Sequence, residues 1–176
     1  FTRVSARELA PEYGFTDECV EHFLPFSPLN ERGKIGNPES ILLKEGKLTD
    51  REFEVMKTHP LKGRQIIDNM LKDFALESLQ HLDMLRNIAE FHHETLDGKG
   101  YPKGLKGDEI PIESRIIAVA DVFDALTSRR PYKEAWSNDD AFQRLLLLAE
   151  IKFDRKCVEA LLKNRVIVEE IQRQFK

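Results

Sequence analysis

The sequence predicts an all-α fold in one domain, and three observations carry that prediction. Apolar residues recur at helical spacing along most of the 176 residues. Helix-start signals, in which a Ser, Thr, Asp or Asn precedes acidic residues or proline, stand at several boundaries. No stretch alternates polar and apolar residues with the two-residue period of a half-buried strand, and no repeat or linker divides the chain. The length suits one domain with a real core.

In order along the chain, residues 1–13 read as the tail of a helix, with Val4 and Leu9 on its apolar face and Pro11 and Gly14 disturbing its end. Thr16 suits an N-cap for a helix through Phe26, with Val20, Phe23 and Leu24 as the apolar stripe. Residues 27–36 (SPLNERGKIG) are polar and punctuated by glycine, and Asn37-Pro38 then has the form of a helix start. Gly46 breaks the chain before Thr49-Asp50-Arg51-Glu52, a capping box that opens a helix through Lys57. His59-Pro60 ends that helix and begins another, carrying Leu61, Ile66, Ile67 and Met70. Residues 77–91 place Leu85, Ile88 and Phe91 at helical spacing. Residues 94–111 follow no regular pattern and hold Gly98, Gly100, Gly104 and Gly107; a connection longer than ~12–15 residues is usually functional or disordered.

Residues 111–128 (PIESRIIAVADVFDALTS) are apolar nearly all round, which predicts a buried helix. Asp121 and Asp124 interrupt that run three residues apart, so both carboxylates share a face. A buried carboxylate is costly unless it is paired, hydrogen-bonded or coordinated to a metal. Beyond this helix Asn138 suits the cap of a helix through Ala149, and Asp154 the cap of another. The charged run 165–176 reads as a solvated terminal helix.

Composition narrows the partners. The net charge is −4 with both signs mixed, which argues against general nucleic-acid binding. Cys19 and Cys157 lie far apart and form no CxxC pair, so a reducing, cytoplasmic compartment without a disulfide framework is expected. No apolar run reaches the ~20 residues of a spanning helix, and no secretory signal is present. The chain starts at Phe1, without Met, in residues that already look helical, and it reads as an N-terminally truncated piece of a longer protein.

His59, His92, His93 and Asp121 are the residue types of a transition-metal site. Neighbouring helical residues point about 100° apart, so His92 and His93 converge only where their helix is ending. Alone they read more readily as capping histidines at a helix C-terminus; the aspartates downstream turn the reading toward a metal at which Asp121 and the His pair meet. Asp124 suits an indirect role, orienting a ligand, or a pairing with arginine. Gly100-Tyr101-Pro102 lies in a turn whose glycines allow close backbone approach, with Tyr101 placed to stack on a base or bond a phosphate; by itself the segment reads first as only a turn. Arg129, Arg130 and Lys133 form a cationic patch suited to phosphate or simply to solvent. His22 and His81 lack such company.

The run HHETLDGKGYPKGLKGDEIPIESRIIAVADVFDALTSRRPYK closely resembles the signature of the HD-GYP family, a branch of the HD metallophosphohydrolases, and GKIGNPESILLKEGKLTDREFEVMKTHP extends the similarity over nearly the whole chain. The resemblance implies an all-α bundle around two or three metal ions, often iron or manganese, and hydrolysis of cyclic di-GMP to linear pGpG or GMP. It places His59, His92, His93 and Asp121 on metal ligands and Gly100, Tyr101 and Pro102 in the nucleotide pocket. Lys34, Arg130 and Lys133 fall near the phosphates. Lys34 and Asp124 then take catalytic roles, one steadying developing charge and the other supporting the centre. Arg3-Val4 resembles the end of the family's HxxRV element. A receiver or sensory domain upstream and a diguanylate cyclase domain as partner are further implications.

The sequence departs from that pattern at the name-giving dyad. Where the family has His-Asp, this chain has Asn30-Glu31. Glu31 still offers a carboxylate, whereas the amide of Asn30 is a poor substitute for imidazole at a transition metal. The site made by His59, His92, His93 and Glu31 is expected to survive and the one shared by Asn30 and Asp121 to weaken, leaving one or two ions. Thr95-Leu96 is a smaller departure, at positions where Arg or Lys and an aromatic are common. Three readings follow: an impaired cyclic di-GMP phosphodiesterase, a silent sensor of cyclic di-GMP or a related cyclic dinucleotide, and a protein-interaction module.

Overall fold

The computed structural model describes residues 1–76, 80–129 and 134–175. Helices α1 (Thr2–Tyr13) and α2 (Asp17–Phe26) lead into a 3-10 segment, Ser27–Gly36, and then into α3 (Glu39–Leu42), α4 (Asp50–Met56), α5 (His59–Asp73) and α6 (Leu82–Phe91). After an irregular stretch come α7 (Ile112–Thr127), α8 (Asn138–Leu148), α9 (Arg155–Lys163) and α10 (Arg165–Phe175). The chain is all-α, as the spacing predicts, and no strand forms among the described residues beyond two isolated bridges. No helix among them is long and apolar enough to cross a membrane.

Local chemistry sets most boundaries. Thr16 caps α2 by accepting the Cys19 N–H, and Thr49 with Glu52 makes the complete capping box that starts α4. Asp154 caps α9 through the N–H groups of Lys156 and Cys157. The cap of α8 is Ser137, one residue earlier than expected, because its hydroxyl reaches the Asp140 N–H.

The core gathers around α7. Ile116, Ile117, Val119 and Phe123 are fully buried against α1, α2, α6, α8 and α9, and each contributes about 1.5–3 kcal/mol by leaving water. Three faces differ from the sequence reading. On α1 the buried residues are Thr2, Ser5, Ala6 and Leu9, so Val4 lies off the inner face. On α5 it is Ile67 and Leu71 that join Leu82, Leu85 and Ala89 in a second cluster, while Leu61, Ile66 and Met70 point outward. The terminal helix is docked rather than solvated: Val168 is fully buried and the Gln172 side-chain amide donates to Thr127 Oγ1 at 3.0 Å.

The 3-10 segment is unusually long for a helix type that normally runs 3–4 residues. Tertiary packing holds it. A Cβ on Gly33 would meet the His59 carbonyl oxygen at 1.8 Å, so only glycine lets this backbone lie against the start of α5. With three residues per turn, Asn30 and Gly33 share the inner edge, and Glu31 and Lys34 stand together on the next.

Candidate metal centre

Four elements converge on one site beside a cavity. The 3-10 segment contributes Glu31 and Lys34, α5 begins with His59, α6 ends into His92 and His93, and α7 supplies Asp121 and Asp124. The cavity measures about 550 Å3, with Glu31, His93 and Asp121 among its walls.

The α6 helix stops at Phe91, which frees the two histidines from the 100° separation of helical neighbours. Their rings lie 4.1 Å apart, and His59 lies 5.4 Å from His92 and 5.0 Å from His93, ring to ring. One ligand atom from each of Glu31, His59, His92 and His93 lies within 4.8 Å of the others.

The hydrogen bonds fix the protonation of this group. Nδ1 of His59 sits 2.8 Å from the Met56 carbonyl, and Nδ1 of His92 sits 3.0 Å from that of Ile88. A carbonyl only accepts, so both Nδ1 atoms carry the proton and both Nε2 atoms present lone pairs. Those Nε2 atoms face each other at 3.3 Å. Burial also keeps the imidazoles neutral, lowering His92 to about 4 and His93 to about 2, with repulsion from neighbouring histidines adding to the effect. Two lone pairs opposed at that distance repel unless a cation lies between them, and a carboxylate beside them completes the donor set. The residues fit a divalent transition metal.

Asp121 is held differently. It lines the same cavity but stands outside the four-donor group, and its Oδ2 accepts the Asn30 Nδ2–H at 2.7 Å. Burial pushes its carboxyl up to about 7, with the negative charge of Glu31 contributing. Asp124 corrects the expectation of a second embedded carboxylate: it is exposed at the cavity rim and makes no ion pair with an arginine among the described residues. Lys34 forms an ion pair with Glu31.

The glycine-rich stretch is folded over the histidines. A Cβ on Gly100 would meet the Thr95 nitrogen at 2.4 Å and the His93 oxygen at 2.6 Å. Tyr101 donates its N–H to the His93 carbonyl at 3.1 Å, its ring lies 4.8 Å from the His93 ring, and the Tyr101-Pro102 bond is cis. Burial raises the Tyr101 phenol well above its usual range, so it remains a neutral donor. Arg130 and Lys133 lie outside the described residues; Arg129 is exposed and pairs with Glu134 at 3.5 Å.

Two residues escaped the sequence reading in these roles. Glu94 is buried and accepts the N–H groups of Lys103 (2.7 Å), Gly104 (3.0 Å) and Leu105 (3.0 Å), clamping the loop behind Tyr101. The available signal is a glutamate standing between the histidine pair and the glycine-rich run. Lys152, from the turn between α8 and α9, lines the cavity next to Thr95 and carried no local signal at all.

Known proteins resemble this chain throughout. The family described as "HD domain" matches residues 26–157. The cyclic di-GMP phosphodiesterase response regulator RpfG of Xanthomonas campestris is 46% identical over 167 residues, which cover 95% of this chain and 42% of that protein. A cyclic di-GMP phosphodiesterase of Thermotoga maritima is 40% identical, covering 96% and 44%. A 3'3'-cGAMP-specific phosphodiesterase of Vibrio cholerae is 38% identical, covering 89% and 28%. The chain thus spans less than half the length of these relatives. Among solved structures, Bd1817, an HDG"Y"P protein from Bdellovibrio bacteriovorus, shares the fold, with a TM-score of 0.64 at 21% identity over 94% of this chain and 50% of that one.

Proposed function

This chain belongs to the HD domain family, in its HD-GYP branch, and from that premise we propose that it is a cyclic dinucleotide phosphodiesterase domain whose hydrolysis is slowed by a half-built metal centre. The substrate is cyclic di-GMP or a related cyclic dinucleotide, the chemistry carried in the names of relatives of both kinds. The observation that carries the reading is the pair of Nε2 lone pairs opposed at 3.3 Å beside Glu31 and His93.

Glu31, His59, His92 and His93 would hold one divalent ion, iron or manganese as the family resemblance implies. When bound, such an ion supplies Lewis-acid activation of water and of the phosphodiester. The protein supplies the rest. Lys34 brings positive charge beside Glu31, where charge develops on the phosphoryl oxygens. Tyr101, neutral and fixed against His93, positions the nucleotide with Gly100 and Pro102. Arg130 and Lys133 belong to the phosphate contacts, and Asp124 at the rim to the support of the centre. Asn30 and Asp121, where the family pattern expects a second ion, satisfy each other through a hydrogen bond, which supports loss of rate, because paired ions clamp both attacking and leaving oxygens.

That same bond favours a second reading, a sensor that binds cyclic di-GMP without turnover. A receiver or sensory domain upstream and a diguanylate cyclase partner belong to the wider proposal. Their support is the length by which the relatives exceed this chain and, for the first, the words "response regulator" in one name.

Metal analysis paired with a turnover assay on cyclic di-GMP tests the proposal. Bound metal with slow release of a linear product supports it. Saturable nucleotide binding without product replaces it by the sensor, and neither metal nor binding overturns both.

A further inference from the structure

The cavity holds two lysines among its described walls, and they are in different states. Lys34 is occupied by Glu31. Lys152 makes no ion pair among the described residues, and its side chain is exposed at the cavity mouth. The Lys152 carbonyl accepts the Leu96 N–H at 3.0 Å, so the α8–α9 turn is fastened to the backbone just after Thr95. Thr95 is the position where the family pattern commonly carries Arg or Lys, and here its hydroxyl is turned to Asp97 at 2.6 Å. Asp97 takes its hydrogen bonds locally, with the Lys99 N–H as a second donor at 3.1 Å, and the charge of Lys152 acts on it only from a distance, without an ion pair.

We propose that Lys152 is a further substrate-binding residue, supplying from the α8–α9 turn the cation absent at position 95 and contacting a phosphate of the cyclic dinucleotide. The assignment rests on the nucleotide reading of the cavity. A dianionic ring entering it meets Lys34 beside Glu31 and Lys152 from the α8–α9 turn. The contact is charge-assisted and geometrically tolerant, as suits a flexible ammonium.

Calorimetric titration with a phosphorothioate analogue of cyclic di-GMP, which resists hydrolysis, tests this on the metal-loaded chain. Lys152→Ala weakens binding about tenfold, the size of a charge-assisted hydrogen bond, and makes it less sensitive to salt. Adding Thr95→Lys to that variant restores affinity and salt dependence, an outcome a merely structural role does not produce. Since Lys152 is exposed, folding is not at issue. Wild-type binding that Lys152→Ala leaves unchanged in strength and salt dependence overturns this assignment alone, as does a loss that Thr95→Lys leaves unrestored. A wild-type chain that does not bind the analogue overturns the nucleotide reading and the assignment together.

Discussion

Two polar pairs, each with one member on the same cavity wall, use their side chains to opposite ends. In one, His59 and His92 turn their lone pairs toward each other at 3.3 Å, with His93 and Glu31 alongside. In the other, Asn30 and Asp121 meet as donor and acceptor at 2.7 Å. The first pair, as neutral imidazoles, repels until a cation neutralises it. The second is complete without one. A single substitution type explains the contrast: an imidazole presents a lone pair to a metal, whereas an amide turns its N–H2 to the nearest carboxylate.

The comparison breaks most severely at the histidine pair. His92→Ala removes one of the two opposed lone pairs, and metal affinity falls by more than about a hundredfold, beyond the 10–100-fold typical of losing a group that merely orients a ligand. Metal analysis after dialysis reads the loss, and hydrolysis falls with it. Retained metal contradicts the account.

Rebuilding the second pair sharpens the contrast in the other direction. Asn30→His combined with Glu31→Asp restores a lone pair facing Asp121, so metal content rises and hydrolysis increases about tenfold or more, since each ion stabilises the transition state by several kcal/mol. A folded variant with unchanged metal and rate shows that the dyad is not what limits activity.

The smallest effect concerns Asp121 in metal-free protein. Its carboxyl titrates at about 7 when folded, against an ordinary value of 3.8. The raised folded value means that the protonated form is favoured by folding: that stability is complete below the unfolded value and is lost as pH rises through 7. Asp121→Asn, which keeps an acceptor for Asn30, therefore matches wild type at pH 4 and exceeds it at pH 8 by on the order of 1–2 kcal/mol, a Tm gain of a few degrees. Chelated samples melted across that range give the difference. A constant offset contradicts the burial of the charge.

The fold was readable where local chemistry decides it. Thr16, Thr49 with Glu52, and Asp154 announce helix starts by the orphan N–H groups they satisfy, and the apolar run before Asp121 announces a buried helix. Faces were harder, because amphipathic spacing does not say which side a neighbour covers; α5 turns Ile67 and Leu71 inward and leaves Ile66 and Met70 outside. Of the site, the histidines were visible as a pair ending a helix. The hydrogen bond between Asn30 and Asp121 spans 91 positions, and the bond from the Leu96 N–H to the Lys152 carbonyl joins separate turns. Neither leaves a local trace in sequence.

The central claim is that one pair demands a cation and the other does not. Quantifying metal per chain in protein reloaded with excess manganese or iron and then freed of loose ions tests it most directly. The account predicts one ion per chain, abolished by His92→Ala and retained in Asp121→Asn; two ions per wild-type chain, or none, contradict it.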